Sequence, residues 1–303
     1  MINLVKHPSK IVVILMDKGI LNFLSDKSFL KLKFKLITGY KLNLKSPETF
    51  NEKIQWLKLY DRKDIYTIMV DKCEAKKYVS NIIGNEYIIP TIGVYNNYEE
   101  INFEKLPNQF VIKPTHTSGN VFICKDKNSI NHKKLRKTIK KWLKRDYYKI
   151  HREWPYKNIK HQIIIEEYKE DKNSNELKDY KFFCFNGEPN MLFVAIGRPY
   201  NTKFNFYDLN FEKLPIQQHY PNFNEKISKP ANFDKMIEFS KKLSKNIPHV
   251  RVDFYDVNGK LYFGELTFYH FSGFENFNNY KYDLELGDLI KLPERTMNNE
   301  KEK

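Results

Sequence analysis

The chain has 303 residues, 41% of them hydrophobic, enough to bury a sizeable core in one large domain or two to three smaller ones. No apolar run reaches membrane-spanning length, and the 3 cysteines, Cys73, Cys124 and Cys184, are odd in number and lack metal-ligand spacing, so reduced thiols in a cytosol are expected. A net charge of +15 admits a polyanionic partner, but the lysines are scattered and no helix-turn-helix or RNP pattern is present, so nucleic acid is set aside and an acidic substrate is kept.

Residues 1–44 read as helical and amphipathic. Ile20, Phe23, Leu24, Phe29 and Leu30 give rough helical spacing with lysines between them. Packing on the body is the expectation, and contact with a membrane surface is the alternative. The order of residues at the start does not match a secretory leader. A second helix is expected from residue 46, with Pro47 in its first turn and Phe50, Ile54 and Leu57 as its stripe. Residues 67–80 read as one helix with Val70, Cys73 and Val79 inward, carrying Lys72 just after Asp71. Residues 87–94 give a short strand interrupted by Pro90.

Residues 109–113 form a strand that runs into a polar loop, 114–120, and residues 121–125 form its partner. Thr117, Ser118 and Gly119 give the loop hydroxyls and one flexible point. Such a loop can fold over phosphates, and it can equally be a plain hairpin connection. Lys113 ends a buried-looking strand and needs an anionic partner there. Residues 131–149 read as a lysine-rich helix with Leu135, Ile139, Trp142 and Leu143 on one face. The loop at residues 151–157, HREWPYK, is dense in aromatic and charged groups and is a candidate for substrate contact. Residues 162–168 form a buried strand ending in Glu166, Glu167 and Tyr168. Residues 176–186 form another, with Asp179 and Lys181 on one face, a turn at Asn186–Gly187, and residues 191–197 as its partner. A helix is expected within 228–246 and a closing helix over 283–292; the polar tail 295–303 is expected to be disordered.

The stretch 250–268 reads as a hairpin about Asn258–Gly259. A two-residue turn would place Asp253 opposite Gly264 and send Glu265 to the other face. A three-residue loop would place Arg251 opposite Glu265, with Asp253 diagonal to it and Thr267 continuing the row. Only the second separates polar from apolar side chains, so it is the expected register. Two carboxylates and an arginine on one face can hold Mg²⁺ together with phosphate oxygens. Ordinary cross-strand ion pairs are the alternative.

Strand-lysine, polar loop, strand, a strand ending in Glu-Glu, a strand with a lysine, then Arg-x-Asp and Glu-x-Thr: this order resembles the ATP-grasp fold. The motifs FNEKIQWLKLYDR, VDK, FVIKPTHTSGN, HREWPYKNI, DYKFFCFNG and VRVDFYDVNGKLYFGELTF resemble its TupA-like branch, named for teichuronopeptide synthesis, over roughly residues 45–293. The resemblance implies an α+β protein with two α+β subdomains clasping ATP, preceded by a helical N-terminal region. Its segments would be an extension at 1–44, a region before the grasp at 45–95, a subdomain with the phosphate loop at 96–170, a subdomain with the metal site at 171–293, and the tail at 294–303. It implies that Lys72, Lys113, Thr117, Ser118 and Gly119 meet nucleotide phosphates. Glu166, Glu167 and Tyr168 would meet adenine and ribose, and Asp179 and Lys181 ribose and phosphate. Arg251 and Lys181 would be catalytic, and Asp253, Glu265 and Thr267 would hold Mg²⁺. Thr267 stands where most ATP-grasp enzymes have asparagine, the loop has a single glycine, and His270 stands where the pattern often shows proline. The implied activity is a cytoplasmic carboxylate–amine ligase using ATP and Mg²⁺, working through an acyl phosphate on a carboxylate-bearing sugar or polysaccharide precursor and an amine in bacterial surface-polysaccharide synthesis. A glycosyltransferase using a nucleotide sugar and a non-catalytic polyanion-binding protein are the alternatives. His116, His249 and His270 are expected to be structural or to touch substrate.

Overall fold

A computed structural model describes residues 8–171, 177–197 and 201–294. In chain order the elements are α1 (Pro8–Asp17), α2 (Asp26–Thr38), α3 (Phe50–Tyr60), α4 (Asp64–Val70), α5 (Glu74–Ile83), β1 (Thr91–Tyr95), β2 (Phe110–Pro114) and β3 (Phe122–Cys124). Then come α6 (His132–Leu143), α7 (Tyr147–His151), β4 (Ile163–Glu167), β5 (Asp179–Phe185), β6 (Glu188–Ile196), β7 (Lys203–Asp208), β8 (Lys213–Leu214), α8 (Phe233–Ser244), β9 (His249–Val257), β10 (Lys260–Thr267) and α9 (Tyr280–Leu289). The expected tail at 295–303 lies outside the described residues.

The strands form two antiparallel sheets, one in the order β1-β4-β2-β3 and the other β10-β9-β5-β6-β7-β8. The first sheet packs Phe110, Ile112, Ile163 and Ile165 against Leu135, Ile139 and Trp142 of α6. The second sheet, α1 to α5, α8 and α9 share a larger core rich in phenylalanine. The first sheet keeps one face for its core and leaves the other to carry charge, as antiparallel alternation allows. The second is packed on both faces, Phe182 against Phe233 of α8 on one, and Phe183 and Phe185 against Phe50 of α3 on the other, the face that also carries Lys181.

Local chemistry places several boundaries differently from the sequence reading. α3 starts at Phe50, not near Pro47, because Thr49 and Glu52 form a capping box: Glu52 N–H donates to Thr49 Oγ1 at 3.2 Å and Thr49 N–H to Glu52 Oε2 at 3.3 Å. The single helix expected over 67–80 is two, α4 and α5. Asp71 breaks it: its backbone is extended, and its Oδ1 accepts from the N–H of Cys73 at 2.8 Å and of Glu74 at 3.3 Å. Lys72 therefore sits in the gap between helices. The helix expected over 131–149 also divides, into α6 and α7. β7 and β8 were not expected at all.

The β9–β10 hairpin carries the functional face by a route other than the expected one. Asn258 and Gly259 both have positive φ (53° and 76°) and form a two-residue turn, with Lys260 opposite Val257. A bulge at Gly264 then shifts the register by one residue, so that Glu265 lies opposite Asp253 and Thr267 opposite Arg251. The polar residues do share one face, but Glu265 pairs with Asp253 and not with Arg251. Next to them, β5 places Lys181 opposite Asp253. A Cβ on Gly264 would lie 3.0 Å from the Asp253 carbonyl oxygen and 3.1 Å from the Tyr255 ring. Gly264→Ala is accordingly expected to destabilise the fold by about 1–3 kcal/mol, as overpacking does. Urea unfolding checks this, and an unchanged midpoint would mean that the bulge has room for a side chain.

Candidate active site

The first sheet supplies a cluster of lysines. Phe110 and Ile112 of β2 face α6, so Val111 and Lys113 point the other way. Lys113 Nζ lies 2.6 Å from Glu166 Oε2 as an ion pair, off the line of a hydrogen bond. Lys76 of α5 pairs with the other oxygen of Glu166 and also donates to the Ile89 carbonyl at 2.7 Å. Burial pushes the Glu166 carboxyl up, but Lys113 and Lys76 overcome this and hold it at about 2. The two lysines move in opposite directions. Burial opposes the charge on both; Glu166 outweighs it at Lys113, which goes up, and fails to at Lys76, which also feels Lys113 and goes down. One carboxylate cannot fully compensate two ammonium groups.

Lys72 is the third cation here, and it holds the polar loop. Its Nζ donates to the Thr117 carbonyl and its N–H to the Thr115 carbonyl at 3.3 Å. Burial lowers the Lys72 ammonium, while Glu265 of the other sheet raises it. In the loop, Thr117 is buried and its hydroxyl donates to Asn120 Oδ1 at 3.1 Å, whereas Gly119 is exposed with φ 77°. Ser118 is half-buried and bonds the Tyr147 side chain. His116 anchors the loop through Trp142, whose carbonyl lies 3.1 Å from Nε2, and stacks on His161 with ring centroids 3.7 Å apart.

The second sheet supplies the carboxylates. Arg251 is buried and forks onto Asp253, Nε to Oδ1 at 2.7 Å and Nη2 to Oδ2 at 2.8 Å. The same Nη2 donates to Glu265 Oε1 at 3.1 Å and to Thr267 Oγ1 at 3.0 Å, and the Thr267 hydroxyl donates to Glu265 Oε1 at 3.3 Å. Lys181 donates to Asp253 and lies 3.7 Å from Asp179. Burial pushes Asp253 up, but Arg251 and Lys181 win and its carboxyl is depressed. Arginine has no acceptor to offer, so His270 Nδ1, 3.0 Å from Arg251 Nη1, is the acceptor. His270 Nε2 then carries the proton and donates to Gln218 Oε1 at 2.8 Å. His249, also buried, sits 3.1 Å from the Cys184 carbonyl. These three histidines serve the framework, in line with the structural half of the expectation.

The two clusters are close enough to feel one another's charge: Glu265 acts on both Lys72 and Lys113, and Asp179 acts on Lys113. Among the described residues of these clusters, lysines outnumber the one carboxylate, Glu166, on the first sheet's side, and the three carboxylates Asp179, Asp253 and Glu265 outnumber Arg251 and Lys181 on the second's. Among the described residues no three His, Cys, Asp or Glu side chains come together as a cage for a metal ion. Asp253 has both oxygens taken by Arg251 and Lys181, and the Thr267 hydroxyl is taken by Arg251 and Glu265. Glu265, with a side chain 35% exposed, is the carboxylate with capacity to spare. It suits a cation that completes its shell with phosphate oxygens and water.

Two expected residues sit apart. Glu167 lies opposite Phe110, so its side chain shares the α6 face and pairs with Lys169 at 2.6 Å. Tyr168 and Glu167 line a separate hollow with Ile92, Pro107, Asn108 and Gln109. Their side chains do not join the lysine cluster. Conversely, sequence reasoning missed Lys76 and a buried set beside the cleft. Lys58 of α3 donates to Gln55 Oε1 at 3.1 Å, the His151 carbonyl at 3.1 Å, and the Ser272 carbonyl and hydroxyl at 2.7 and 3.0 Å. The Ser272 hydroxyl donates to Glu153 Oε1 at 2.6 Å. Burial pulls the Lys58 ammonium down to about 7 and pushes the Glu153 carboxyl up. In the sequence Lys58 is one of several polar residues of α3, and nothing local marks it as buried.

Solved structures similar to the chain include D-alanine–D-alanine ligase from Bacillus anthracis complexed with ATP, at 19% identity over 66% of this chain and 53% of that chain, with a TM-score of 0.39. Others are D-alanine–D-alanine ligase from Helicobacter pylori (17% identity, 80% and 69% covered, TM-score 0.42) and the ATP-grasp ligase PsnB complexed with minimal precursor, Mg and ADP (10% identity, 72% and 57% covered, TM-score 0.37). The chain spans about half the length of the first of these, 53%. Comparison with curated proteins gives no match. Residues 52–291 match the profile of TupA-like ATP-grasp proteins, a span that holds both sheets and every charged residue of the cleft, and the chain belongs to that family.

Proposed function

We propose that the protein is an ATP- and Mg²⁺-dependent carboxylate–amine ligase acting on a carboxylate-bearing sugar or polysaccharide precursor. One observation carries this reading: Lys113 on the first sheet and Lys72, which holds the polar loop beside it, feel the charge of Glu265, which Arg251 backs on the second sheet. When bound, ATP supplies the phosphoryl group that turns a substrate carboxylate into an acyl phosphate for an amine to displace, and Mg²⁺ screens the phosphate oxygens. Lys72, Lys113 and the loop at Thr117–Ser118–Gly119 bind phosphate oxygens. Glu265 holds the metal, with Asp253 beside it. Arg251 and Lys181 keep Asp253 ionised and fix the face on which Glu265 stands. Phosphoryl transfer needs placed charge more than a side-chain nucleophile, so four fixed cations and a metal ligand suffice in kind. Glu166 orients Lys113 and Lys76, and the backbone at Glu167 and Tyr168 borders the base. The sugar-acid class of substrate rests on the family resemblance.

The test is calorimetric titration of ATP with and without Mg²⁺, followed by a phosphate-release screen of uronic acids paired with amines. The expected result is Mg²⁺-dependent micromolar binding and phosphate release that requires both an acid and an amine. Binding of a nucleotide sugar in place of ATP would move the reading to glycosyl transfer. Salt-dependent polysaccharide binding without ATP binding would leave a binding module.

A further inference from the structure

The hairpin of α1 and α2 displays a surface that the cleft does not use. α1 contains Ile11, Val12, Val13, Ile14, Leu15 and Met16 in succession and is apolar all round, whereas a helix lying on a protein body is apolar along one stripe. Of these six, only Met16 is buried. Ile11 and Ile14, one turn apart, are 39% and 41% exposed; Ile20 and Phe23, in the connection to α2, are 56% and 79% exposed. Single exposed apolar side chains are ordinary, but four within Ile11–Phe23 mark a contact surface.

Charge identifies the partner. Lys10, Lys18, Lys27, Lys31 and Lys35 are all exposed, and among the described residues no carboxylate pairs with them. The hairpin's two acids are used internally: Asp17 pairs with Lys33 at 2.5 Å, and Asp26 with Arg62 at 2.7 Å and the Tyr148 hydroxyl at 2.7 Å. A second copy of the chain would set five lysines against five. We propose that this hairpin docks the protein on an anionic lipid surface. Ile11, Ile14, Ile20 and Phe23 enter the headgroup layer while the lysines meet lipid phosphates. No helix among the described residues is long and apolar enough to cross a membrane, so the mode is peripheral. The hairpin is fixed to the body, since Lys33 Nζ also donates to the Ile150 carbonyl at 2.8 Å, so docking sets the orientation of α7 and the cleft beside it. The inference stands independently of the ligase reading.

The test is co-sedimentation of the full chain with phosphatidylcholine vesicles, alone or with roughly a third phosphatidylglycerol, at low and high salt. Binding is expected only with the anionic vesicles, weakened by salt. It should fall about tenfold or more in the Ile20→Ser/Phe23→Ser double variant, whose unfolding midpoint and ATP affinity stay as in the wild type because both side chains are exposed. Three results would overturn the proposal: no binding to anionic vesicles, equal binding by the double variant, or a vesicle-free dimer that the double variant dissolves.

Discussion

Asp253→Ala is expected to lose about 3–5 kcal/mol of folding stability, the cost of leaving buried charges without their partner. Asp253 is fully buried and receives Arg251 through two hydrogen bonds and Lys181 through a third. Both cations are themselves buried, so each would lose a charged partner away from bulk solvent. Glu265→Gln is the contrast. Its side chain is partly exposed and one oxygen carries the two hydrogen bonds from Arg251 and Thr267, which an amide oxygen can accept. Its stability should stay within about 0.5 kcal/mol of the wild type, while the Mg²⁺-dependent part of ATP binding is lost. Urea unfolding and calorimetry on the two variants check this split. If both unfolded alike, the division of labour between a buried carboxylate that builds the face and an open one that serves it would be wrong.

Glu166→Gln is expected to cost about 3 kcal/mol at neutral pH, because a carboxyl held at about 2 against an ordinary 4.5 carries that much stabilisation. The sign follows from the depression. In the unfolded chain Glu166 takes up its proton near 4.5; in the fold it resists until about 2. Its contribution is complete above the unfolded value and drains away as pH falls between the two. Unfolding free energies of wild type and variant should therefore differ most above pH 5 and converge toward pH 2, a comparison in which the other acids cancel. A difference that does not change with pH would mean that Lys76 and Lys113 do not hold the carboxylate ionised.

Much of the site was legible because charge within an apolar strand is conspicuous. Lys113, Glu166, Lys181 and the Arg251–Asp253 pair all interrupt alternating or continuous apolar runs, and burial forces such groups to find one another. The Asn-Gly turn at 186–187 was legible for a local reason, since both residues take positive φ; at 258–259 the same pair makes a two-residue turn where a three-residue loop was expected. What was not legible depended on partners far along the chain. Lys58 reads as an exposed lysine until Ser272, more than two hundred residues away, is seen to accept from it. The break at Asp71 needs its side chain to cap α5, which a helical spacing of Val70, Cys73 and Val79 conceals. β7 was missed although Gly197, Pro199 and Asn201 precede it in the sequence.

The bulge at Gly264 has a consequence for how this site can drift. Between Asp253 and Glu265 the chain holds one extra residue relative to a flat two-residue hairpin, and that residue restores both carboxylates to the cleft. A three-residue loop with no bulge would reach the same face, with Glu265 slid two places along β9 to Arg251. The quantity the site depends on is therefore parity, not any particular turn. A single insertion or deletion that leaves the bulge in place turns Glu265 to the other face, and a second one brings it back, whereas loss of Gly264 itself takes the bulge with it and keeps Glu265 opposite Asp253. Related chains can then differ in turn, in bulge and in spacing, all at once, and still present the same pair of acids.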